Sequence, residues 1–356
     1  MTRHDALQSV LADPRFGKDA RLWTTFREGR LPQGWPLLNF VAVPGMTTAD
    51  GEDHRRLRGL VTQAFTPRRI AALAPAVEAR AIALLDGIGR PEGAFDLRAR
   101  YAYPLPMQVI GELLGLAEEQ QDHLHELCDT MVSSSATPEA SMAAQRDLNA
   151  LLASVVAAKR AEPGDDLTSA LIEARESGDE LSEAELVGTL LLMLIAGHET
   201  TLNLISNAVR ALLAHPDQLR LLREGARPWS AAVEETLRYD SPVGQFPMRY
   251  ATEDVEVGGA LIRRGEAVLA SYAAAGRDDG QHPEADRFDL DRAARHLSLG
   301  HGPHFCLGSA LARLEAETAL RHLFGRHPAL ALAEGRENEP IASFVSNGAR
   351  SLWVTV

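Results

Sequence analysis

Cys306 lies in the loop "LSLGHGPHFCLGSALARLE" (Leu297–Glu315), behind Gly300, Gly302 and His304 and two residues ahead of Gly308, where a helix-forming run begins. A thiolate is stabilised by positive potential and hydrogen-bond donors, and the start of a helix supplies both through its free N–H groups and its dipole. The glycines allow sharp turns and close approach to a flat partner. "GHGPHF" is not a dinucleotide fingerprint, because Phe305 stands where the third glycine belongs. A nucleophilic cysteine with His304 as its base stays open at this point, but it leaves the other polar constellations unused.

Three such constellations are present. "AGHETT" (Ala196–Thr201) sets an acid, Glu199, and a hydroxyl, Thr200, inside an otherwise apolar helical run, where unpaired polar groups are costly. Its Ala196 and Gly197 would let something flat approach the backbone, and a mid-helix glycine costs about 1 kcal/mol relative to alanine. The bland alternative is a kink in which Thr200 bonds back to a preceding carbonyl. A zinc-protease motif is excluded, since Leu202 stands where the second histidine is required. "EETLR" puts Glu235 and Arg238 three residues apart on one helix face, which for most such pairs is a solvated surface. "HRRLR" puts His54 and Arg58 four apart, also on one face, while Arg249 and His304 offer similar groups elsewhere. Together with Cys306 these bases suggest a cofactor that carries carboxylates.

These residues must be positioned mainly by helices. The segment from Ser182 opens with a capping box, Ser182 to Glu185, and meets no proline until Pro216, which predicts a buried helix of roughly thirty residues, near 45 Å long. Further helices are expected at Pro67–Leu85, Ala117–Val132, Ser141–Arg160, Trp229–Tyr239 and Leu307–Phe324. Strand character is confined mostly to Phe246–Val268, turning at Gly258-Gly259, and to the C-terminal "SLWVTV". A single, mainly α domain spanning residues 1–356 is the economical organisation.

Composition narrows the partners. The chain has 356 residues, 45% of them apolar, enough for a large core. A formal net charge of −13 disfavours nucleic acid as the main partner. Two cysteines cannot make a disulfide framework, which points to the cytoplasm, and Cys128 reads as a buried core thiol. No secretory signal opens the chain, and the longest apolar stretch, "LVGTLLLMLIAG", is too short to span a bilayer, so no membrane partner is expected.

In this order and at these separations the four motifs resemble the cytochrome P450 family, whose loop reads Phe-Gly-x-Gly-x-His-x-Cys-x-Gly; Gly300, Gly302, His304, Cys306 and Gly308 fill it here. The likeness covers almost the whole chain. Segments such as "VEETLRYDSPV" resemble soluble bacterial members, actinomycete hydroxylases of steroids, macrolides and polyketides. The resemblance implies a P450 fold with a long central helix and a small β region. It implies haem b with Cys306 as axial ligand of the iron, and Ala196 and Gly197 flanking an oxygen groove. Glu199 and Thr200 would manage protons, and His54, Arg58, Arg249 and His304 would hold the haem propionates. Glu235, Arg238 and Arg287 would form a buried ion network.

The implied activity is insertion of one oxygen atom from O2 into a C–H bond of an apolar small molecule. Electrons would come from an external ferredoxin and ferredoxin reductase, docking near Arg55, Arg56, Arg68 and Arg69. Substrate contacts are expected from Trp35–Met46, from Met193 and Leu194, and from Val243–Phe246 and Phe344–Asn347. Leu299 replaces the family's phenylalanine and Arg263 a frequent proline. The start of the chain resembles the family's second helix, so the first helix and first strands are expected to be missing. Rival readings are a peroxide-driven oxygenase, a haem-dependent isomerase and a non-catalytic haem-binding protein.

Overall fold

The computed structural model describes residues 1–35, 37–132, 136–176, 181–293 and 295–356. Its axis is one helix of 32 residues, Glu183–Ala214. The Ser182 hydroxyl accepts the Glu185 N–H at 3.2 Å and the Glu185 carboxylate accepts the Ser182 N–H at 2.7 Å, so both halves of the capping box form. At the other end His215 closes the helix and Pro216 starts the next one, Pro216–Arg223. By length and composition this is the one helix among the described residues that could cross a membrane, but 67% of its apolar window is buried in the protein. It is the core helix, packed by Pro104–Leu114, Pro138–Ala161, Trp229–Tyr239 and Ser309–Arg326. Non-directional burial of apolar surface holds these layers together.

Trp229–Tyr239 forms where the periodicity places it. The run expected at Pro67–Leu85 is instead two helices, Pro67–Ala72 and Ala74–Ile88, because Pro75 opens a new first turn, the one place in a helix where its missing N–H costs nothing. Ala117–Val132 begins as a 3-10 turn at Glu118–Gln120 and continues as the helix Gln121–Val132. The last predicted helix starts at Ser309 with Gly308 as its N-cap, so Cys306 precedes the helix rather than opening it. Helices His4–Ala12, Pro104–Leu114 and Leu167–Glu176 are additional to those expected.

The β structure is small, as predicted. Phe246–Ala251 is the middle strand of an antiparallel sheet between Phe16–Gly17 and Ala267–Ala270, with Phe16 opposite Ala251 and Arg249 opposite Val268. Its register shifts between Phe246 and Arg249, the kind of irregularity that re-aims a side chain beside a site. Val255–Val257 and Ala260–Ile262 form a hairpin whose two turn residues, Gly258 (φ 59°) and Gly259 (φ 79°), lie in the left-handed region. The C-terminal strand Trp353–Thr355 pairs with both Phe95–Asp96 and Ala331–Leu332.

Candidate active site

The Cys306 loop turns on two left-handed glycines, Gly300 (φ 77°) and Gly302 (φ 71°). A Cβ on Gly302 would stand 2.9 Å from the Leu11 carbonyl oxygen, so the N-terminal helix clamps the loop against residue 302 and admits only glycine there. The Cys306 N–H donates to the Leu299 carbonyl at 2.7 Å and the Phe305 N–H to the Gly302 carbonyl at 3.0 Å. Leu299 therefore serves the loop through its backbone, which any side chain permits. The Cys306 sulfur faces a cavity of about 300 Å³ and receives the Gly308 N–H. Burial pushes the thiol's pKa up; the Gly308 N–H, Arg58 and Arg313 pull it down without prevailing. Desolvation thus outweighs the Gly308 N–H donor at the helix start.

The central helix forms the opposite wall with Leu192, Met193, Ala196, Gly197, Thr200, Thr201 and Leu204. Thr200 Oγ1 donates to the Ala196 carbonyl at 2.7 Å, so the back-bonded arrangement does occur, with Thr200 still on the cavity wall. Gly197 has a packing reason beyond flat approach: a Cβ there would meet Ile110 Cδ1 and Cγ1 at 2.9 Å. Glu199 is not on the cavity. It is 4% exposed and points into a polar cluster behind the wall, where its Oε1 accepts from Asn203 Nδ2 at 2.9 Å.

The basic residues do converge. Arg58, Arg249 and His304 line the cavity, and His54 stacks on His304 with ring centroids 4.0 Å apart. Arg58 Nη2 donates to the Phe305 carbonyl at 2.6 Å, tying it to the cysteine loop. Lys18 joins them, a residue that sequence reasoning missed. Burial, then Arg249, bring the Lys18 pKa down to about 7, against the pull of Asp50. His304 is driven down to about 2 by burial and then by Arg249, His54, Lys18 and Arg58. His54 is lowered by burial first and by Arg58 next, and its buried Nε2 has no partner. Asp50, 4.0 Å from His304, offsets only part of this positive set, which a further anion would stabilise. A signal for Lys18 existed: it is one of two lysines in the chain, set just after the first strand.

Glu235 and Arg238 are not surface charges. They are 1% and 0% exposed. Arg238 uses all five N–H donors: Nε and Nη2 on the Glu235 carboxylate at 2.8 and 2.7 Å, Nη1 on the Gly276 and Ala285 carbonyls, and Nη2 also on the Arg287 carbonyl. The Arg287 side chain, expected in this network, is instead 57% exposed beside Glu284 and Asp289. Arg292, 3.6 Å from Glu235, takes that place. The Asp289 N–H completes the shell on Glu235 at 2.8 Å.

Of the expected substrate contacts, Met46, Met193, Val243 and Phe246 line the cavity. Leu194 faces the core at 0% exposure, one residue round the helix. Pro36 lies outside the described residues. Phe344–Asn347 is not on the wall: Asn347 Nδ2 is held by Asp240 Oδ1 and the Ser241 carbonyl. Among the docking arginines, Arg56 donates to Glu185 at 2.6 Å, and Arg55 lies 3.7 Å from Glu52.

A buried thiol whose ionised form needs a cation, facing an apolar slot edged by bases that need anions, is the complement of an iron porphyrin. The family description "Cytochrome P450" matches residues 120–226 and 229–344. The chain belongs to the cytochrome P450 family. It is 41% identical over 357 residues to 2-hydroxy-5-methyl-1-naphthoate 7-hydroxylase of Streptomyces carzinostaticus, covering 98% of this chain and 86% of that one. It is 44% identical over 337 residues to vitamin D(3) 25-hydroxylase of Pseudonocardia autotrophica, covering 94% and 82%. The solved structure of CYP154C4 from Streptomyces sp. W2061 superposes with a TM-score of 0.96 at 43% identity, over 99% of this chain and 88% of that one. This P450 is a monooxygenase with a haem-iron cofactor. Its residues fit that group: one thiol, a basic edge with an orphaned His54 Nε2, and a mainly apolar cavity that both line.

Proposed function

We propose that this P450 inserts one oxygen atom from dioxygen into a C–H bond of an apolar small molecule, a steroid, macrolide or other polyketide. The observation that supports it most is that Cys306 and Thr200, carried by different elements, line one apolar cavity. Haem b would be held by the Cys306 sulfur, with its propionates on Lys18, His54, Arg58, Arg249 and His304. The Gly300 and Gly308 backbone would let the loop lie close to that group, and Ala196 and Gly197 would border it from the central helix. Bound there, haem iron supplies the centre at which dioxygen is reduced, and thiolate ligation favours O–O cleavage. Thr200 holds a proton at Oγ1 on the cavity wall, with Glu199 behind it as the acid. The apolar walls exclude water and orient the substrate without directional bonds.

Electrons would come from a ferredoxin and its reductase in the cytoplasm. Arg55, Arg68 and Arg69 are exposed, and with Arg56 they form a basic surface in an acidic protein, suited to an acidic donor. The relatives' names, a naphthoate and vitamin D(3), support a polycyclic substrate.

The deciding experiment is the absorption spectrum of the reduced, carbon monoxide-bound protein, followed by titration with steroid and macrolide panels for a substrate-induced spin change. A thiolate-type spectrum that disappears in Cys306→Ser is expected. A histidine-type spectrum, or a protein that takes up no haem, would overturn the reading.

A further inference from the structure

Behind the cavity wall lies a second group of titratable side chains that the reaction above does not use. His198 is 0% exposed, and its Nδ1 is 2.9 Å from the Leu194 carbonyl oxygen. A carbonyl can only accept, so Nδ1 carries the hydrogen. Burial lowers the pKa of His198, the neighbouring Glu199 opposing, and leaves Nε2 as a bare lone pair. The His125 ring stands edge-on to His198 with centroids 5.7 Å apart and stacks on Tyr103 at 3.8 Å. His125 Nε2 is 3.5 Å from Asp129 Oδ2, and the Asp129 side chain is 51% exposed. The cluster thus runs from solvent on the Gln121–Val132 helix to the carboxylate next to Thr200.

Three of its buried atoms have no partner in the protein: His125 Nδ1, His198 Nε2 and Glu199 Oε2. If His125 Nε2–H points at an ionised Asp129, all three are acceptors, and acceptors cannot satisfy one another. A protonated Asp129 resolves the conflict. Its Oδ2–H then meets His125 Nε2, and the ring presents its buried Nδ1–H to the cluster, whose His198 ring is 5.7 Å away, with a water molecule to bridge it to the remaining acceptors. The charges around the cluster favour that exchange. Asp129, its side chain about half enclosed, is raised to about 6 by burial first and by Glu199 next, with Arg98 opposing. His125 is lowered to about 3 by burial, His198 and Arg98, so it stays neutral and free to change tautomer. Cys128, pushed up to about 12 by burial, Asp129 and Glu199, keeps its proton and stands aside. Arg98, on the turn ahead of Tyr103, donates to Asn203 Oδ1 at 2.8 Å and so orients the amide that holds Glu199.

We propose that Asp129 and His125 pass protons from solvent to Glu199, with His198 as the fixed acceptor that orients the His125 ring. This rests on the monooxygenase reading, in which substrate RH, O2, two electrons from the ferredoxin and two protons give ROH and H2O. The electrons arrive from outside, and the apolar cavity wall supplies few protons. In each relay step Asp129 Oδ2 gives a proton to His125 Nε2 while Nδ1 releases one toward Glu199 Oε2. Asp129 then recovers its proton from solvent and His125 returns to its starting tautomer. His125 and Asp129 are positioning residues that act through Glu199.

The test compares His125→Phe, which keeps a ring on Tyr103, with Asp129→Asn and Asp129→Glu in the haem-loaded protein. A wild-type protein without the thiolate-type spectrum would sink the monooxygenase reading and leave the relay without a reaction. With that spectrum intact in every variant, substrate-dependent reductant oxidation should fall about 10-fold or more in His125→Phe and Asp129→Asn at unchanged KM, and recover in Asp129→Glu. The H2O/D2O rate ratio should rise with the loss. In the diamagnetic reduced, carbon monoxide-bound form, the 15N signals of the His125 ring should change tautomer near about pH 6 in wild type and not in Asp129→Asn. Unchanged rate and isotope effect in His125→Phe, or one His125 tautomer from about pH 5 to about pH 8, would overturn the proposal.

Discussion

Arg238→Met tests whether the Glu235–Arg238 pair is a structural keystone or an ordinary salt bridge. The substitution fills much of the same volume and removes five donors at once. It leaves the Glu235 carboxylate at 1% exposure with only the Asp289 N–H bond and Arg292 at 3.6 Å, and it orphans the carbonyls of Gly276, Ala285 and Arg287. Removing one partner of a buried pair costs about 3–5 kcal/mol. Each orphaned carbonyl adds about 1 kcal/mol where water does not reach it, so a loss near 5 kcal/mol is expected. At roughly 0.7 kcal/mol per kelvin for a chain of this size, the melting temperature should fall by about 7 °C. Denaturant titration followed by far-ultraviolet circular dichroism measures the free energy, and thermal melts followed by the same signal measure the melting temperature. Glu235→Leu/Arg238→Met should recover only part of the loss, because the three carbonyls stay unpaired. A loss under about 1 kcal/mol in Arg238→Met, the range of exposed pairs, would refute the argument.

Three further outcomes follow from the site. Lys18→Met should speed haem dissociation about 10- to 100-fold, since an ion-assisted hydrogen bond is worth about 1.5–3 kcal/mol. Because Lys18 titrates near about 7 before an anion arrives and higher afterwards, wild-type haem affinity should be greatest below that pH and fall as pH rises through it, a dependence lost in Lys18→Met. Gly197→Ala should destabilise by about 1–2 kcal/mol through its clash with Ile110, partly offset by helix propensity, and Ile110→Ala in the same chain should relieve the clash; denaturant midpoints decide. Thr200→Ala should continue to consume reductant while releasing mostly hydrogen peroxide, and normal product yield would remove Thr200 from the proton route.

What could be read in the sequence divides by physical kind. Features imposed by directional or steric demands were legible. The Ser182/Glu185 box marks the start of the long helix, Pro216 marks its end, Gly258-Gly259 forces a hairpin, and the cysteine loop needs glycine at 300 and 302 because of backbone conformation. Pro75 was just as visible and was passed over, which merged two helices into one. The Glu235–Arg238 spacing is identical in a surface pair and a buried one. Only the loops carrying Gly276, Ala285 and Arg287 decide between them, and they lie 38 to 49 residues away in the chain. The Asp129–His125 pair was illegible for the same reason, and Lys18, marked in the sequence only as one of two lysines, takes its meaning from neighbours brought together by the fold.

The substrate wall was the least legible part, and its chemistry explains why. Met46, Met193 and Met248, three of the seven methionines, line the cavity beside Val243, Phe246 and Leu204. The same residue types fill the core, since burial rewards apolar area wherever it occurs. One position of helix rotation separates Met193 on the wall from Leu194 in the core, finer than periodicity resolves over an all-apolar run. Cofactor-side residues must meet fixed charges and a fixed sulfur, so their types and spacings are constrained. Substrate-side residues need only fill space, and methionine, unbranched and polarisable, fills irregular space at low cost. In the proposed reaction, selectivity would therefore reside in the shape of a soft wall, whereas the chemistry would reside in the cysteine loop and the polar cluster behind the central helix.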